Sequence, residues 1–322
     1  MNVFLTGSTG FLGTSLVKQL FLQNVKFVAA LLDEKDVVRL PSSEIEWIIV
    51  PPLSNSANYQ DALNDVDVVV HLAARVHVMH DNAPDPLAEF RRVNVFGTMN
   101  LARQAALAGV RRFVFVSSVK VNGESTLLGH PFSAEGAPDP QDPYGISKHE
   151  AEVGLRELAL STGMEVVIIR PPLVYGPGVK ANFASMMRWL SKGIPLPLGA
   201  LDNKRSFVAL DNLVDLIVTC LRHPTAANQT FLVSDGEDLS TTELLRRMGR
   251  ALGKPARLLP VPVGVMEVAA KVLGKGDVAQ RLFGSLQVDN SKTRDLLGWK
   301  PVVSVDEALR KTAAAFMTSG KK

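Results

Sequence analysis

Three glycines near the start of the chain constrain its fold more than any other feature. The segment 6–13 reads Thr-Gly-Ser-Thr-Gly-Phe-Leu-Gly, and it lies between an apolar run at residues 3–5 and an amphipathic run at 11–23. This order predicts a strand, a tight turn and a helix. Gly7 permits the turn, Gly10 allows a ligand to approach the backbone, and Gly13 allows the helix to pack closely on the strand. The free N–H groups of such a helix start favour a bound pyrophosphate.

Glycine also occurs in ordinary turns, so the context of this turn matters. Helical patterns lie at residues 11–23, 86–108 and 146–161, and they alternate with strand-like runs at residues 3–5, 27–32, 45–50, 66–72, 112–117 and 165–170. Near-continuous apolar runs are typical of parallel strands that are covered on both faces. We therefore predict an α/β fold with a doubly wound parallel sheet of the Rossmann type.

The sequence changes in character after residue 170. Prolines and glycines crowd residues 171–199 and predict a loop-rich cap. Further strands are predicted at 206–210 and 230–233, with a helix at 212–222, and capping boxes at Ser240 and Ser304 start two late helices. We predict a dinucleotide-binding domain over residues 1–170, continued by about 206–234, and a smaller mixed substrate-binding lobe over 171–322 that is interleaved with it.

Composition and charge argue against several classes of protein. The chain has 46% apolar and 21% charged residues, as expected of a soluble globular protein. A net charge of +3 without a long basic run argues against a nucleic-acid partner. The single cysteine, Cys220, and the absence of a signal peptide lead us to expect a cytoplasmic protein. The most apolar late stretch, 261–273, is too interrupted to span a bilayer. We expect no integral membrane segment and no bound metal.

Residues with acid–base capacity follow the fifth predicted strand. Ser118 lies at its end, and the next helical pattern opens with Tyr144-Gly145-Ile146-Ser147-Lys148. A tyrosine and a lysine four residues apart share one helix face. A nearby ammonium lowers the pKa of a phenol, which makes the tyrosine a usable general acid or base. The spacing also fits a surface Tyr–Lys pair, but the order of glycine turn, strand-end serine and Tyr-x-x-x-Lys favours catalysis.

Together with His71-Leu72-Ala73-Ala74 and the late Leu297-Gly298-Trp299-x-Pro301, these residues resemble the extended short-chain dehydrogenase/reductases of the nucleotide-sugar epimerase/dehydratase type. The resemblance implies a catalytic triad of Ser118, Tyr144 and Lys148. Tyr144 would exchange a proton with a sugar hydroxyl while hydride moves to or from a nicotinamide, whose ribose Lys148 would hold. The implied cofactor site comprises Gly7, Thr9, Gly10, Phe11, Leu12, Asp33, Leu72, Ala73, Ala74, Asn94, Tyr144, Lys148 and Pro171.

The segment after Ser118 narrows the resemblance. The family usually has a small residue and Val-Tyr-Gly at this place, but this chain has Val119-Lys120-Val121-Asn122. Together with the loop 170–183, this segment resembles a bacterial branch that reduces a UDP-4-keto-6-deoxy-N-acetylhexosamine for surface polysaccharide synthesis. We therefore expect an NAD(P)-dependent C4 oxidoreductase that acts on a UDP-sugar. Arg205 matches the family's diphosphate-binding arginine, and a guanidinium suits phosphate. The implied substrate site comprises Arg75, His77, Ser118, Lys120, Asn122, Asn182, Phe183 and Arg205; of these, Arg75, His77 and Lys120 fit solvated loop residues equally well.

Several alternatives remain open at this point. A UDP-glucose or UDP-N-acetylglucosamine 4-epimerase would use the same triad but keep its cofactor through the cycle, whereas a reductase would exchange it. A non-catalytic dinucleotide-sensing protein is the alternative of another class. Asp33 near the end of the second strand favours NAD, whereas Lys35 and Arg39 could meet the extra phosphate of NADP. The resemblance also implies a homodimer through the helices 86–108 and 146–161, supported by alanines at positions 102, 105, 106, 151 and 159.

Overall fold

A seven-stranded parallel sheet organises the protein. The computed structural model describes residues 1–76, 84–272, 276 and 282–319. The strands are β1 (Asn2–Thr6), β2 (Lys26–Leu31), β3 (Trp47–Ile49), β4 (Val68–His71), β5 (Arg112–Val116), β6 (Glu165–Arg170), β7 (Leu173–Tyr175), β8 (Phe207–Ala209) and β9 (Thr230–Leu232). The sheet has the order β3-β2-β1-β4-β5-β6-β9, and all its neighbouring strands are parallel. The strand order reverses between β1 and β4, which places a crevice at their carboxyl ends.

Helices cover both faces of this sheet, and further helices build the second part of the protein. They are α1 (Phe11–Leu22), α2 (Pro86–Phe90), α3 (Thr98–Leu107), α4 (Pro143–Thr162), α5 (Ala181–Ser191), α6 (Leu210–Arg222), α7 (Thr241–Ala251), α8 (Val263–Val272), α9 (Ser291–Leu297) and α10 (Val305–Ser319). A π-helical stretch, Arg91–Gly97, joins α2 to α3. Alternate residues of β1 point to opposite faces: Val3 and Leu5 share a core with α1 and α6, and Phe4 shares one with α3 and α4. The predicted doubly wound α/β fold is confirmed.

The largest difference in the sheet concerns its third strand. The run 45–50 predicts six strand residues, but β3 contains only Trp47–Ile49. It pairs with β2 alone because it lies at the edge of the sheet, and Trp47 and Ile49 are both exposed. An apolar run therefore overestimates the length of a strand that has a partner on one side only.

The segment expected to be a loop-rich cap contains regular structure. It includes α5, and β7 pairs in parallel with β8 to form a second, two-stranded sheet. Phe183, Met186, Met187 and Leu190 are buried at helical spacing and pack with α7 and α10 in a core of their own. This spacing was overlooked beside the prolines and glycines of the segment. The domain boundary at residue 170 stays a prediction.

The C-terminal segments dock on both parts of the protein. The two predicted capping boxes are present, since the Oγ atoms of Ser240 and Ser304 accept hydrogen bonds from N–H groups three residues later, at 3.0 and 3.3 Å. Trp299 donates from Nε1 to Asp215 on α6 at 2.8 Å. The side chain of Asn212, also on α6, accepts from the N–H groups of residues 302 and 303 at 2.8 and 2.9 Å. The late Trp-x-Pro motif thus anchors the end of the chain to a helix of the main sheet.

Candidate active site

The glycine turn lies between β1 and α1, at the carboxyl edge of the sheet. Gly7 has a φ of 71°, and a Cβ atom there would lie 2.8 Å from the backbone nitrogen of Ala73. A Cβ atom on Gly13 would lie 1.9 Å from the carbonyl oxygen of Gly7. The exposed Gly10 caps α1 without a side-chain hydrogen bond, so no side chain of the cap occupies the first-turn N–H groups. The turn therefore has the backbone that a bound pyrophosphate requires.

Buried hydrogen bonds hold this turn on the neighbouring strands. Ser8 donates from Oγ to the carbonyl of Ala30 on β2 at 2.6 Å. The ring of His71 bonds Oγ1 of Thr6 at 2.7 Å and Oγ1 of Thr98 at 2.9 Å. Burial, and then the charge of Lys148, lower the pKa of His71 to about 3, so the ring is neutral near pH 7. His71 therefore links β1, β4 and α3, a role that sequence reasoning did not assign to it.

The three residues of the implied triad come from two elements at this edge. Ser118 lies two residues beyond β5 and accepts at Oγ from the N–H of Lys120 at 3.2 Å. Tyr144 lies in the first turn of α4, with its ring edge-on to Phe90 and the ring centroids 6.1 Å apart. Lys148 follows one turn later, and its ammonium lies 4.2 Å from the centroid of the Phe115 ring. The catalytic roles of these residues stay predictions.

The pKa of Tyr144 does not shift as the sequence led us to expect. Burial raises it above its ordinary value, and the charge of Asp142 raises it further. Burial lowers the pKa of Lys148 to about 7, against an opposing effect of Glu152. The net lowering of the pKa of Tyr144 that the sequence led us to expect is therefore not present in this structure. The physical reason is that the ammonium is itself desolvated and lies against the face of Phe115 rather than offsetting the burial of the phenol.

Most of the remaining residues of the implied cofactor site lie around the turn, and Asp33 and Pro171 lie apart from it. Those around the turn are partly exposed, as a contact with a ligand requires: Thr9, Phe11, Leu12, Leu72, Ala73 and Ala74. Asp33 is exposed two residues beyond β2, and its Oδ1 accepts from the N–H of Lys35 at 2.9 Å. Pro171 is buried, and its carbonyl accepts from the N–H of Val119 at 3.0 Å.

Asn94, expected as a cofactor ligand, makes three hydrogen bonds within the protein, and its role as a ligand stays a prediction. Its Oδ1 accepts from the N–H of Arg75 at 2.8 Å, and its Nδ2 donates to the carbonyl of Arg75 and to Oγ of Ser147, both at 3.0 Å. With its side-chain oxygen and both amide protons engaged, Asn94 ties the loop after β4 to α4.

Two of the expected substrate residues are also engaged within the protein. Asn122 is buried, where it donates to the carbonyl of Ser133 at 3.0 Å and accepts from Arg170 at 3.1 Å. Lys120 donates from Nζ to Asp142 and, at 3.0 Å, to Glu124. Both expectations rested on closeness to Ser118 in sequence, which does not reveal these partners.

The other expected substrate residues are spread over both parts of the molecule. Phe183 is 2% exposed and stacks on Tyr175 in the core of the second part, so its side chain is not available to a ligand. Asn182, beside it, is exposed. Arg205 is partly exposed and donates to the carbonyl of Gly284 at 2.9 Å. The guanidinium of Arg75 lies 5.5 Å from the centroid of the Phe90 ring. His77 lies outside the described residues.

Sequence reasoning missed Asp142, which begins the helix of Tyr144. Its Oδ1 accepts from the N–H of Gly145 at 2.7 Å, and Pro143 occupies the first helical position. An aspartate followed by proline is a recognisable helix start, so this signal was present in the sequence. It also missed Glu152, which lies fully buried on the same helix and pairs with Arg170 of β6 at 2.9 and 2.5 Å.

Neither a metal centre nor a membrane span is found in the described parts of the chain. No group of three or more His, Cys, Asp or Glu residues there is arranged to hold a metal ion. Of the helices that the structure describes, none combines the length and apolar character needed to cross a bilayer.

Comparisons with known proteins give this chain a family, similar sequences and solved structures of similar fold. Residues 3–234 match the model of the NAD dependent epimerase/dehydratase family. A UDP-glucose 4-epimerase of Vibrio cholerae is 51% identical over 324 residues, covering 100% of this chain and 97% of that protein. A GDP-6-deoxy-D-mannose reductase of Pseudomonas aeruginosa is 26% identical, covering 96% of this chain and 95% of that protein. The solved UDP-glucuronic acid 4-epimerase of Bacillus cereus in complex with NAD has a similar fold, with a TM-score of 0.79 at 20% identity over 99% of this chain and 97% of that one.

Proposed function

Because the chain belongs to the NAD-dependent epimerase/dehydratase family, we propose that it is a UDP-hexose 4-epimerase, acting on UDP-glucose or UDP-N-acetylglucosamine. The observation that carries this proposal is the 51% identity, over the whole chain, to a UDP-glucose 4-epimerase. The C4 reductase expected from the segment after Ser118 has weaker support, since the similar reductase is only 26% identical. The comparisons thus favour the epimerase over the C4 reductase that the sequence alone led us to expect.

The proposed reaction removes a hydride from C4 of the sugar and a proton from the hydroxyl on that carbon, and it returns both, with the hydride delivered to the opposite face of the carbon. Tyr144 takes the proton from the C4 hydroxyl and gives it back, and Ser118 hydrogen-bonds the same oxygen. Arg205 holds the diphosphate of the nucleotide. Substrate and product are isomers, so the cycle needs no external oxidant or reductant.

The protein uses a nicotinamide adenine dinucleotide, in common with its family, and the turn after β1 fits one. That cofactor supplies the acceptance and return of hydride. Gly7 provides the left-handed backbone of the turn, and the start of α1 carries no capping side chain. Asp33 accepts the ribose hydroxyls of the adenosine and disfavours a 2′-phosphate. The proposal places the enzyme in the cytoplasm.

The direct test is an isomerisation assay without added cofactor. Purified protein is incubated with UDP-glucose, and separately with UDP-N-acetylglucosamine, and the sugars are resolved by NMR. Formation of the C4 epimer of either sugar supports the proposal. A different result would replace it with the reductase: no epimer from either sugar, and one NADH or NADPH consumed for each UDP-4-keto-6-deoxy-N-acetylglucosamine reduced.

The fate of the cofactor separates the same two functions independently. An epimerase regains its starting cofactor in every cycle, so it gains nothing by releasing it, whereas a reductase must release the oxidised form. We therefore expect NAD to stay with the protein through gel filtration, detectable by mass spectrometry after denaturation. Protein that emerges free of cofactor yet turns over only with added NADH points to the reductase.

We also infer a homodimer formed by the helical segments 86–107 and 143–162. Three of the five alanines on these segments do not support it, because Ala102, Ala105 and Ala151 are buried in the core of their own subunit. The better support is that Phe96, Leu107, Val153 and Leu160 are exposed on these segments. Val153 and Leu160 are seven residues apart and share one face of α4.

Light scattering at micromolar concentration tests this assembly, and we expect twice the mass of the chain. The double substitution Val153→Glu and Leu160→Glu should give monomers, because it places charges in an apolar contact. Val302→Glu alters an exposed apolar residue outside the two helical segments and should leave the dimer intact. A wild-type protein that is monomeric under these conditions contradicts the inference.

A further inference from the structure

We infer that Lys120 and Asp142 form a positioning pair, which holds the turn of Ser118 against the helix of Tyr144 and sets the charge beside the Tyr144 hydroxyl. The inference rests on the proposed function in one respect, because it takes Tyr144 as the group that transfers the proton.

The two oxygens of the Asp142 carboxylate serve two different elements. Oδ1 accepts from the N–H of Gly145 at 2.7 Å and so caps α4. Oδ2 accepts from Nζ of Lys120, which belongs to the turn that follows β5. The same ammonium donates to Glu124 at 3.0 Å. One carboxylate therefore joins the start of the Tyr144 helix to the segment that carries Ser118.

Backbone contacts make the same connection. The N–H of Lys120 donates to Oγ of Ser118 at 3.2 Å. A Cβ atom on Gly145 would lie 2.8 Å from the carbonyl oxygen of Lys120, so the turn rests directly on the first turn of the helix. The side chains of Lys120 and Asp142 are only 25% and 21% exposed, which limits the screening of their charges by water.

The charges around Tyr144 come from several elements. Asp142 caps the helix of Tyr144, and Lys148 lies on that helix. Lys120 and Glu124 lie on the segment after β5. Arg75 lies over the Phe90 ring, which contacts the tyrosine. The negative charge of Asp142 favours the protonated phenol and raises the pKa of Tyr144. The ammonium of Lys120 opposes this effect because it neutralises Asp142. Removing Asp142 should therefore lower the pKa of Tyr144, and removing Lys120 should raise it.

The test is whether the two substitutions shift the pKa of Tyr144 in opposite directions. That pKa is measured from the acidic limb of the pH dependence of kcat/KM. Asp142→Asn removes the charge but keeps a good helix cap, and we expect the acidic limb to move to lower pH by about half a unit or more. Lys120→Met leaves Asp142 without its partner, and we expect a comparable move to higher pH. The double variant should return close to the wild-type limb, and Lys120→Arg should retain it.

A matched control is available at Lys311, which also bridges two carboxylates, those of Asp211 at 2.7 Å and Glu307 at 3.1 Å. Lys311→Met should leave the limb in place. Thermal unfolding of each variant, and binding of UDP measured by calorimetry, provide readouts that do not depend on turnover. If Lys120→Met does not fold, Lys120→Gln carries the same expectation.

The outcomes separate this inference from the proposed function. Shifts of the same sign, or no shift, in two folded single variants overturn the pair while leaving the epimerase in place. Retained turnover in Tyr144→Phe overturns the proton-transfer role on which both depend. If the wild type proves to be a reductase, the limb set by Tyr144 in that assay should shift with the same signs.

Discussion

Tyr144 is the single residue on which the proposed chemistry depends most. Replacing it with phenylalanine keeps the ring that contacts Phe90 but removes the group that moves the proton. We expect turnover to fall by at least about a hundredfold, with UDP binding and the midpoint of thermal unfolding unchanged. Tyr59→Phe is the matched control, because Tyr59 is also buried but lies in the core between the sheet and α3. Near-normal turnover in Tyr144→Phe would contradict the assignment of Tyr144 as the residue that transfers the proton.

Asp33 is the residue expected to choose between the two cofactors. Its exposed carboxylate lies just beyond β2, where it would repel the 2′-phosphate of NADP. We expect the wild type, once stripped of bound nucleotide, to bind NADH more tightly than NADPH in a fluorescence titration. Asp33→Ser should narrow that difference by about tenfold, or about 1.4 kcal/mol. Glu34→Gln removes an adjacent charge and should change the ratio less. A clear preference of the wild type for NADPH contradicts this role.

At this scale, the sequence was enough to propose reactive residues but not to predict which side chains the residues around them would bond to. Ser118, Tyr144 and Lys148 could be selected because their spacing has a chemical meaning within one helix and one strand end. Asn94, Lys120 and Asn122 were interpreted as ligand-binding residues. In the structure the side chain of each also bonds within the protein, to residues at least 4 and up to 53 positions away along the chain. Such pairings depend on the tertiary fold.

At the scale of elements, the β1–turn–α1 unit has the least room for change. A Cβ atom on Gly13 would lie 1.9 Å from the carbonyl oxygen of Gly7, which is part of the backbone and cannot rotate away. We therefore expect Gly13→Ala to lower the free energy of unfolding by about 3 kcal/mol or more, measured by urea denaturation. Gly264→Ala is the control, since among the described residues no atom outside its chain neighbours and the backbone of its own helix lies within 4 Å of the added Cβ.

Gly10→Ala distinguishes packing from ligand approach in the same unit. Its Cβ would come no closer than 3.2 Å to Gly7, so the fold should change little while cofactor affinity falls. Equal stability of Gly13→Ala and the Gly264→Ala control would contradict the packing argument.

Elements were predictable where one periodicity dominated. The start of α4 carried a clear signal in Asp142 and Pro143, yet the sequence reading placed the opening of the helix at Tyr144 and its periodic pattern at 146–161. The helix α5 was missed since its four buried apolar residues lie between segments rich in proline and glycine. The length of β3 depends on its place at the edge of the sheet, which no local pattern records.

At the scale of the whole molecule, the alternation of strands and helices was enough to predict the doubly wound sheet. It was not enough to predict how the second, two-stranded sheet attaches to it. Asp235 accepts hydrogen bonds from the backbone of Ala209, from Asn212 and from Tyr175, at 2.7 to 2.8 Å. These bonds join residues 23 to 60 positions apart, and they become visible only in the folded molecule.

The buried His71 makes the stability of the whole molecule depend on pH. Its pKa is about 3 in the folded protein, against 6.5 as its ordinary value. Above pH 6.5 the ring is neutral in both states. As the pH falls below that value, the unfolded chain gains a proton that the folded protein excludes, so stability is lost at about 1.4 kcal/mol per pH unit until the pH approaches 3.

Urea unfolding at pH 7 and pH 5 measures this dependence. His71 should account for about 2 kcal/mol of the stability lost between the two. His71→Gln, which cannot titrate, should be less stable at pH 7 because it disturbs the bonds to Thr6 and Thr98, but its loss on acidification should be smaller by that amount. His130 is exposed, so His130→Gln should reproduce the wild-type slope. An unchanged slope in His71→Gln would show that the ring accepts a proton within the fold, and the neutral link between β1, β4 and α3 would then be untenable.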